Sequence, residues 1–169
     1  GRHEIDPAGP CLVVADIELP PSANSGEPAR IGFTVMNAST VDAVGSWSDS
    51  LYLSTDGAWD LGDVLLGKVA HTGGLLAGAS YAAELSTKLP PAKAGEYRLI
   101  VRADIFNEVF EGVDESNNAT ASPNVLTVTV PELHLGVPQA VTLSPGEQQL
   151  FRITVDANET LRFELSSAD

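Results

Sequence analysis

The chain is poor in cysteine and in positive charge, and both shortages narrow what it can be. Of its 169 residues only one is a cysteine, Cys11, so no internal disulfide can form and stability must come from burial and hydrogen bonds. No run of about 18 apolar residues occurs, so the sequence predicts no membrane-spanning helix. The opening residues, GRHEIDPAGPC, lack the apolar centre of a signal peptide, so we expect any secretion signal to lie upstream.

Positive charge is scarce along the whole chain. Nine Lys and Arg residues face 23 Asp and Glu residues, which gives a formal net charge of −14. Nucleic acids and anionic membranes are bound by cationic surfaces, so this charge argues against both as partners. Hydrophobic residues make up 43% of the chain and charged residues 19%, which is typical of a folded protein. The excess of negative charge suits a salty or calcium-rich environment outside the cell.

Apolar and polar residues alternate in most segments, which predicts strands with one face on a core. The predicted strands are 12–19, 30–37, 48–54, 63–71, 80–89, 96–104 and 124–130. In the first, the odd-numbered residues from Val13 to Leu19 are expected to face inward; in the second, Ile31, Phe33 and Val35 do so. Because Gly and Pro interrupt every window long enough for a helix, the pattern predicts an all-β antiparallel sandwich of about seven strands.

The predicted core of the sandwich joins residues from four of these strands. Its expected members are Phe33, Val35, Leu51, Leu53, Tyr97, Leu99, Val101, Leu126 and Val128. The phrase LPPAKAGEY, residues 89–97, leads into one of the strands and has the form of a tyrosine corner. We expect the hydroxyl of Tyr97 to hydrogen-bond to the preceding main chain at the edge of the sandwich.

The rhythm of the sequence changes at Pro131. Beyond it, the residues from 139 to 169 predict three more strands, at about 140–143, 148–155 and 160–165. About thirty residues cannot bury a core alone, so this part is either an extension of the sandwich or the start of another domain. The predicted organisation is a linker at 1–9, a sandwich at 10–130, a linker at 131–138 and a partial β-domain at 139–169.

Several phrases together resemble the CARDB family, the cell-adhesion-related domain of bacteria and archaea. They are TVMNAST, WSDSLYLSTDGAWDLGDVLLG, LLAGASY, LPPAKAGEYRLIVRAD and VFEGVDESNN, and the similarity covers about residues 10–130. The resemblance implies an immunoglobulin- or fibronectin-III-like sandwich that is repeated in large secreted or surface proteins and has no catalytic role. The tail from about residue 133 resembles the opening strands of the bacterial pre-peptidase C-terminal (PPC) domain, without that domain's later DADLYV-like part.

The stretch STDGAWDLGD carries three carboxylates, Asp56, Asp60 and Asp63, with no Lys or Arg among them. Calcium takes six to eight oxygen ligands, so these three carboxylates, with loop carbonyls and water, are a candidate calcium site. Their spacing is not that of an EF-hand. The alternative is a polar hairpin loop that turns at Asp56-Gly57, with Asp60 and Asp63 capping nearby N–H groups.

A second acidic stretch, residues 103–118, also has no Lys or Arg. Its candidate metal ligands are Asp104, Glu111, Asp114 and Glu115. The alternative is that Asn and carboxylate side chains bond to the main chain of a long loop. In an immunoglobulin-like sandwich the two acidic stretches would lie at opposite ends, so we expect that they do not share one ion.

Two tryptophans, Trp47 and Trp59, are candidates for stacking on a sugar ring, although aromatic side chains more often pack in a core. No catalytic motif accompanies them. The sequence therefore predicts a non-enzymatic structural, adhesion or spacer module of a large secreted or surface bacterial protein. Its expected partners are neighbouring domains of the same polypeptide. A surface protein or a glycan is a further candidate partner, and calcium is a candidate ion. The alternative function is an accessory domain of a secreted hydrolase that binds carbohydrate or positions the catalytic unit.

Overall fold

A computed structural model describes residues 9–112 and 117–166 of the chain. Its elements are β1 (Leu12–Glu18), β2 (Ser22–Asn24), β3 (Pro28–Asn37), β4 (Ser46–Ser54), β5 (Val64–Thr72), β6 (Ser80–Lys88), β7 (Gly95–Arg102), β8 (Ala119–Ala121), β9 (Leu126–Thr129), β10 (Glu132–Leu133) and β11 (Arg152–Ile153). Among these residues, no helix is long and apolar enough to cross a membrane. All seven strands predicted for the sandwich are present, so the all-β prediction is confirmed.

Two packed sheets form an immunoglobulin-like sandwich. One sheet has three strands in the order β1-β3-β6, and the other has the order β2-β9-β7-β4-β5 with β8 also paired to β7. Neighbouring strands in the sandwich are antiparallel except β2 and β9, which run parallel. The short strands β2 and β8 escaped the sequence analysis because three residues are too few to show an alternating pattern.

The core lies between the two sheets and contains the nine residues that the sequence predicted. Eight of them are buried, and Tyr97 is partly buried against the rest. Leu99, at the centre of β7, has no exposed surface. The predicted tyrosine corner also forms, because the hydroxyl of Tyr97 donates to the carbonyl oxygen of Lys93 at 3.0 Å.

The inward face of β1 was predicted correctly at Ile17 but with the wrong phase at Val13 and Ala15. A bulge between Val14 and Asp16 leaves Ala15 without a partner on β3 and shifts the register. Leu12 and Val14 point inward before the bulge and Ile17 points inward after it, whereas Ala15 is exposed. An extra residue in one strand of a pair moves the following side chains to the other face, and a simple alternation does not contain that information.

The chain enters and leaves the sandwich at opposite ends. Leu12 at the start of β1 pairs with Asn37 at the end of β3, so the entry lies beside the loop from β3 to β4. Near the exit, Val128 in β9 pairs with Gly95 at the start of β7, and β4 ends alongside this part of β7. We call these the entry end and the exit end.

Of the three strands predicted in the tail, only the one at 148–155 has a counterpart, the short β11. Of the described residues after 138, only β11 is a strand, and it pairs in parallel with β10. Alternation marks a segment that could pair, but a strand forms only where another strand supplies the hydrogen bonds. The tail packs against the exit end through Gln149, whose amide donates to the carbonyl oxygen of Ser25 at 2.7 Å. Lys88 and Glu147 add an ion pair at 3.3 Å.

Candidate functional site

The first acidic stretch connects β4 to β5 at the exit end. The chain turns at Gly57, whose φ of 78° is a left-handed conformation that favours glycine. A side chain at this position would also collide with Arg98, because an added Cβ would lie 2.7 Å from the Cδ atom of that residue. The turn therefore rests directly on β7, and its glycine is required by both the backbone conformation and the packing.

Each of the three carboxylates in this loop uses one oxygen to bind the main chain. Asp56 Oδ1 accepts from the Ala58 N–H at 2.8 Å, and Asp60 Oδ1 accepts from the Gly62 N–H at 2.6 Å. Asp63 Oδ2 accepts from the N–H of Asp60 at 3.0 Å. These bonds are the capping role that the sequence analysis gave as the alternative to calcium binding. The second oxygens of the three carboxylates accept no hydrogen bond within the described part of the chain.

The same three carboxylates line one cavity of about 340 Å³. Its apolar lining comes from the exit end and includes Leu53 and Pro90. Within residues 9–112 and 117–166, however, no group of three or more His, Cys, Asp or Glu side chains is spaced so that it could hold a metal ion. The carboxylates therefore face a common space without converging on one point.

The second acidic stretch lies at the entry end, between β7 and β8. Asp104 is buried, and its carboxylate accepts from the N–H groups of Glu108 and Val109 at 2.8 and 2.7 Å. Glu111 is also buried and accepts from the N–H of Leu12 and the side-chain amide of Asn118. These carboxylates hold the loop against β1, as the main-chain alternative described. The other two candidate ligands, Asp114 and Glu115, lie outside the described residues.

The structure places Trp47 in the core, with 1% of its surface exposed. Its indole N–H donates to the hydroxyl of Tyr81 at 3.0 Å, and its ring lies 4.4 Å from that of His71. Both faces of the ring are covered by protein, so Trp47 cannot stack on a sugar in this conformation. The alternation of β4 explains this burial. Its odd-numbered residues face inward, so Trp47 shares the core face with Leu51 and Leu53.

Trp59 lies on the outer face of the six-stranded sheet and is 40% exposed. The guanidinium of Arg102 sits 4.0 Å from its ring centre, and the ring of Tyr52 approaches it edge-on at 6.1 Å. An arginine over an aromatic face is attracted to the negative charge of that face. Trp59 therefore folds back over β4 and β7, and part of its surface stays open to a ligand.

Two groups of residues whose side chains could bind a ligand or a proton were not among the sites predicted from the sequence. Asp49 is completely buried on the core face of β4, where it accepts from the hydroxyl of Tyr81. Burial raises the pKa of Asp49, and burial together with the Asp49 charge raises the pKa of Tyr81. The second group lies on the outer face of the six-stranded sheet, where Lys68 in β5 and Arg102 in β7 both pair with Ser50 in β4. An aspartate at an inward position of an apolar strand was a visible signal for the first group, whereas the second depends on strand register.

Comparison with known proteins identifies one family. Residues 9–122 match the model of the family described as CARDB. The crystal structure of the CARDB domain of the PF1109 protein from Pyrococcus furiosus, in complex with di-metal ions, is similar with a TM-score of 0.52 and 19% sequence identity. That alignment covers 72% of this chain and 90% of the other. The solution NMR structure of the same domain has a TM-score of 0.50 and 22% identity over 71% of this chain and 95% of the other. No curated protein matches the chain.

Proposed function

The chain belongs to the CARDB family, and from this membership we propose that it is a non-enzymatic spacer and adhesion module of a large secreted or surface bacterial protein. CARDB is a family of non-catalytic, adhesion-related domains. The acidic residues of the two loops support the same reading, because their carboxylates bind main-chain N–H groups in the way of structural residues. A spacer needs a defined length and resistance to extension. The positions of the two chain connections bear on the length, and the pairing of β2 with β9 bears on the resistance.

The opposite positions of entry and exit are the observation that carries the proposal. Modules joined entry to exit extend in a line, whereas modules with both connections at one end fold back on each other. β3 runs the length of the sandwich with ten residues, which corresponds to about 30 Å at the rise of an extended strand. Each module of this kind would add about that length to a chain of domains.

The parallel pair of β2 and β9 supports a role under tension. Ser22 pairs with Thr127 and Asn24 with Thr129, and the N–H of Ser25 continues the contact by donating to Thr129 at 2.8 Å. A pull between the two ends draws parallel neighbours in opposite directions along their length. The hydrogen bonds between them are then loaded together rather than one after another, which makes the pair harder to separate.

We propose further that calcium stiffens the exit end by binding Asp56, Asp60 and Asp63. Support comes from their shared cavity and from the second oxygen of each, which is not used by the described main chain. The crystallised relative from Pyrococcus furiosus holds di-metal ions, which shows that a domain of this family accepts metals. Binding would require the three side chains to turn toward a common point, and the attraction of each carboxylate to the cation would offset the repulsion between them.

The tail is proposed to be the start of a following β-domain of the PPC type. Its side chains at Leu143, Phe163 and Leu165 are exposed by 45%, 67% and 101%, so they are not part of the core of the sandwich. Gln149 and Glu147 fasten this segment to the exit end, at Ser25 and Lys88. The contact would hold the next domain in a preferred direction relative to the sandwich.

A distance measurement tests the spacer proposal. Cys11 lies next to the entry end and is the only cysteine, and Leu135 lies just past the exit end with 56% of its surface exposed. In a Leu135→Cys variant, spin labels on the two cysteines are expected to lie about 30 Å apart, the length of the longest strand. A distribution centred below about half that distance would show that the connections lie at one end and would contradict the proposal.

A further inference from the structure

The outer face of the six-stranded sheet carries a row of three polar side chains across its central strands. Ser50 in β4 pairs with Arg102 in β7 on one side and with Lys68 in β5 on the other. Directly paired residues of antiparallel strands point to the same face, with Cβ atoms about 5 Å apart. Two long cationic side chains therefore flank one hydroxyl at the same level of the sheet.

The hydroxyl of Ser50 has no partner among the residues that the structure describes. Ser50 has no exposed surface, and its Oγ atom makes no hydrogen bond to residues 9–112 or 117–166. A buried polar group without a partner is unfavourable, so native proteins seldom retain one without a reason. Here the hydroxyl lies between two cationic side chains. Together with Lys68 and Arg102 it would give an anion three hydrogen-bond donors.

Neither cation has an acidic partner within the described residues, although the chain has 23 acidic residues. Within the described residues, ion pairs occupy Arg30, Lys88, Arg152 and Arg162, but neither Lys68 nor Arg102. The acidic side chains of the adjoining loops are turned to the main chain instead, as at Asp60 and Asp104. In a protein of net charge −14, this face keeps its positive charge available.

Aromatic rings frame the row. The ammonium of Lys68 lies 4.6 Å from the ring centre of Phe106, and the guanidinium of Arg102 lies 4.0 Å from that of Trp59. Phe106 is 59% and Trp59 40% exposed. An apolar ring face beside a pair of cations suits a ligand that is both ring-shaped and anionic.

We propose that this row binds a sugar carrying a carboxylate, such as a uronic acid unit of an acidic polysaccharide. The carboxylate lies between the guanidinium of Arg102 and the ammonium of Lys68, and the sugar ring stacks on the open part of Trp59. Ser50 donates to the carboxylate once Lys68 moves away from Phe106. The inference rests on the proposed adhesion role and gives it a ligand, but its test does not depend on the length or strength of the module.

The test is calorimetric titration of the whole chain with an oligogalacturonate and with a neutral galacto-oligosaccharide of equal length. At 0.15 M salt the remaining negative surface is screened beyond about 8 Å. We expect binding of the acidic sugar only. Lys68→Gln and Arg102→Gln should each weaken it about tenfold, which is the loss of one charge-assisted hydrogen bond. The matched control is Lys93→Gln, which removes an exposed cation near the exit end and should leave the affinity unchanged.

Ser50→Ala separates a binding role from a structural one. It removes an unpartnered hydroxyl, so the melting temperature of the free protein should stay the same or rise while the affinity for the acidic sugar falls. Three results would overturn the proposal: absence of binding at millimolar oligogalacturonate, equal binding of the neutral sugar, or equal affinities for the Lys68→Gln and Lys93→Gln proteins. Thermal melts of every variant confirm that each is folded at the temperature of the titration.

Discussion

The hydroxyl of Tyr81 donates a hydrogen bond to the buried carboxylate of Asp49 at 2.5 Å, and this bond joins the two sheets of the sandwich. Tyr81 belongs to β6 of the three-stranded sheet, and Asp49 to β4 of the other. The same hydroxyl accepts from the indole of Trp47. The other oxygen of Asp49 accepts from the N–H of Asp104 at 3.1 Å, so the network also positions the acidic loop at the entry end.

Tyr81→Phe is expected to destabilise the protein by about 2–4 kcal/mol at pH 7, because Asp49 and Trp47 each lose a buried partner. The loss should shrink on acidification. Burial raises the pKa of Asp49 above its ordinary 3.8, so the native state holds the proton more tightly and gains stability as the pH falls through that interval. The hydrogen bond from Tyr81 lowers the pKa of Asp49, so its removal widens the interval.

Urea denaturation at pH 7 and pH 5 measures both effects. Tyr52→Phe is the control, since the hydroxyl of Tyr52 makes no hydrogen bond to any described residue although its ring is buried. It should change stability by less than about 0.5 kcal/mol. A Tyr81→Phe protein that matched this control, or that lost further stability on acidification relative to wild type, would contradict the network.

Leu99→Ala is expected to destabilise the sandwich by about 2–5 kcal/mol, because it opens a cavity where a fully buried side chain stood. Leu61→Ala, at a leucine that is 96% exposed, provides the comparison and should have little effect. Thermal or urea unfolding of the two variants gives the values. Similar stability of the two proteins would place the core elsewhere.

Most of the sandwich could be predicted because each long strand buries one face. The alternation of Ile31, Phe33 and Val35 survives in the structure because β3 is paired on both sides and the bulge in its pairing with β1 lies in β1 rather than in β3. In β1 the prediction was right at Ile17 but wrong at Val13 and Ala15, because the bulge at Ala15 changes the phase. In the tail the pattern predicted a strand that does not form. Residues 140–143 alternate, but the described part of the chain offers them no strand with which to pair.

The candidate sites were harder to predict, because they depend on which residues meet across strands. That Lys68 and Arg102 both lie opposite Ser50 could not be predicted, because strand register sets the pairing and register is not visible in the residue pattern. The burial of Trp47 follows from its place on the inward face of β4, one residue before the predicted start of that strand at 48. The calcium prediction at Asp60 and its neighbours stays a prediction.

Calcium at millimolar concentration is expected to stabilise the protein by about 1.5 kcal/mol if the dissociation constant is about 10⁻⁴ M. The melting temperature should then rise by a few degrees over that in EDTA. Asp60→Asn should abolish the rise, and Asp156→Asn, at an exposed aspartate in the tail, should keep it. Equal melting temperatures in calcium and EDTA, with no heat in a calcium titration, would leave the loop as an acidic turn.

Residues 1–130 are expected to fold without the tail, because β1 to β9 and the whole core precede Pro131. The tail adds the amide contact of Gln149 and the exposed ion pair of Lys88 with Glu147, so its removal should lower the melting temperature by only a few degrees. Circular dichroism during heating gives the answer. A truncated chain without a cooperative transition would mean that the tail completes the sandwich.

Single-molecule pulling in two directions tests the spacer role most directly. In the first, handles on Cys11 and on Leu135→Cys load β2 and β9 along their length; in the second, handles on Ala58→Cys and Leu135→Cys, with Cys11→Ser, both lie near the exit end. Forced unfolding reports the rate of unfolding along the direction pulled. A load-bearing spacer predicts a clearly higher unfolding force in the first direction. An equal or lower force there would contradict the account.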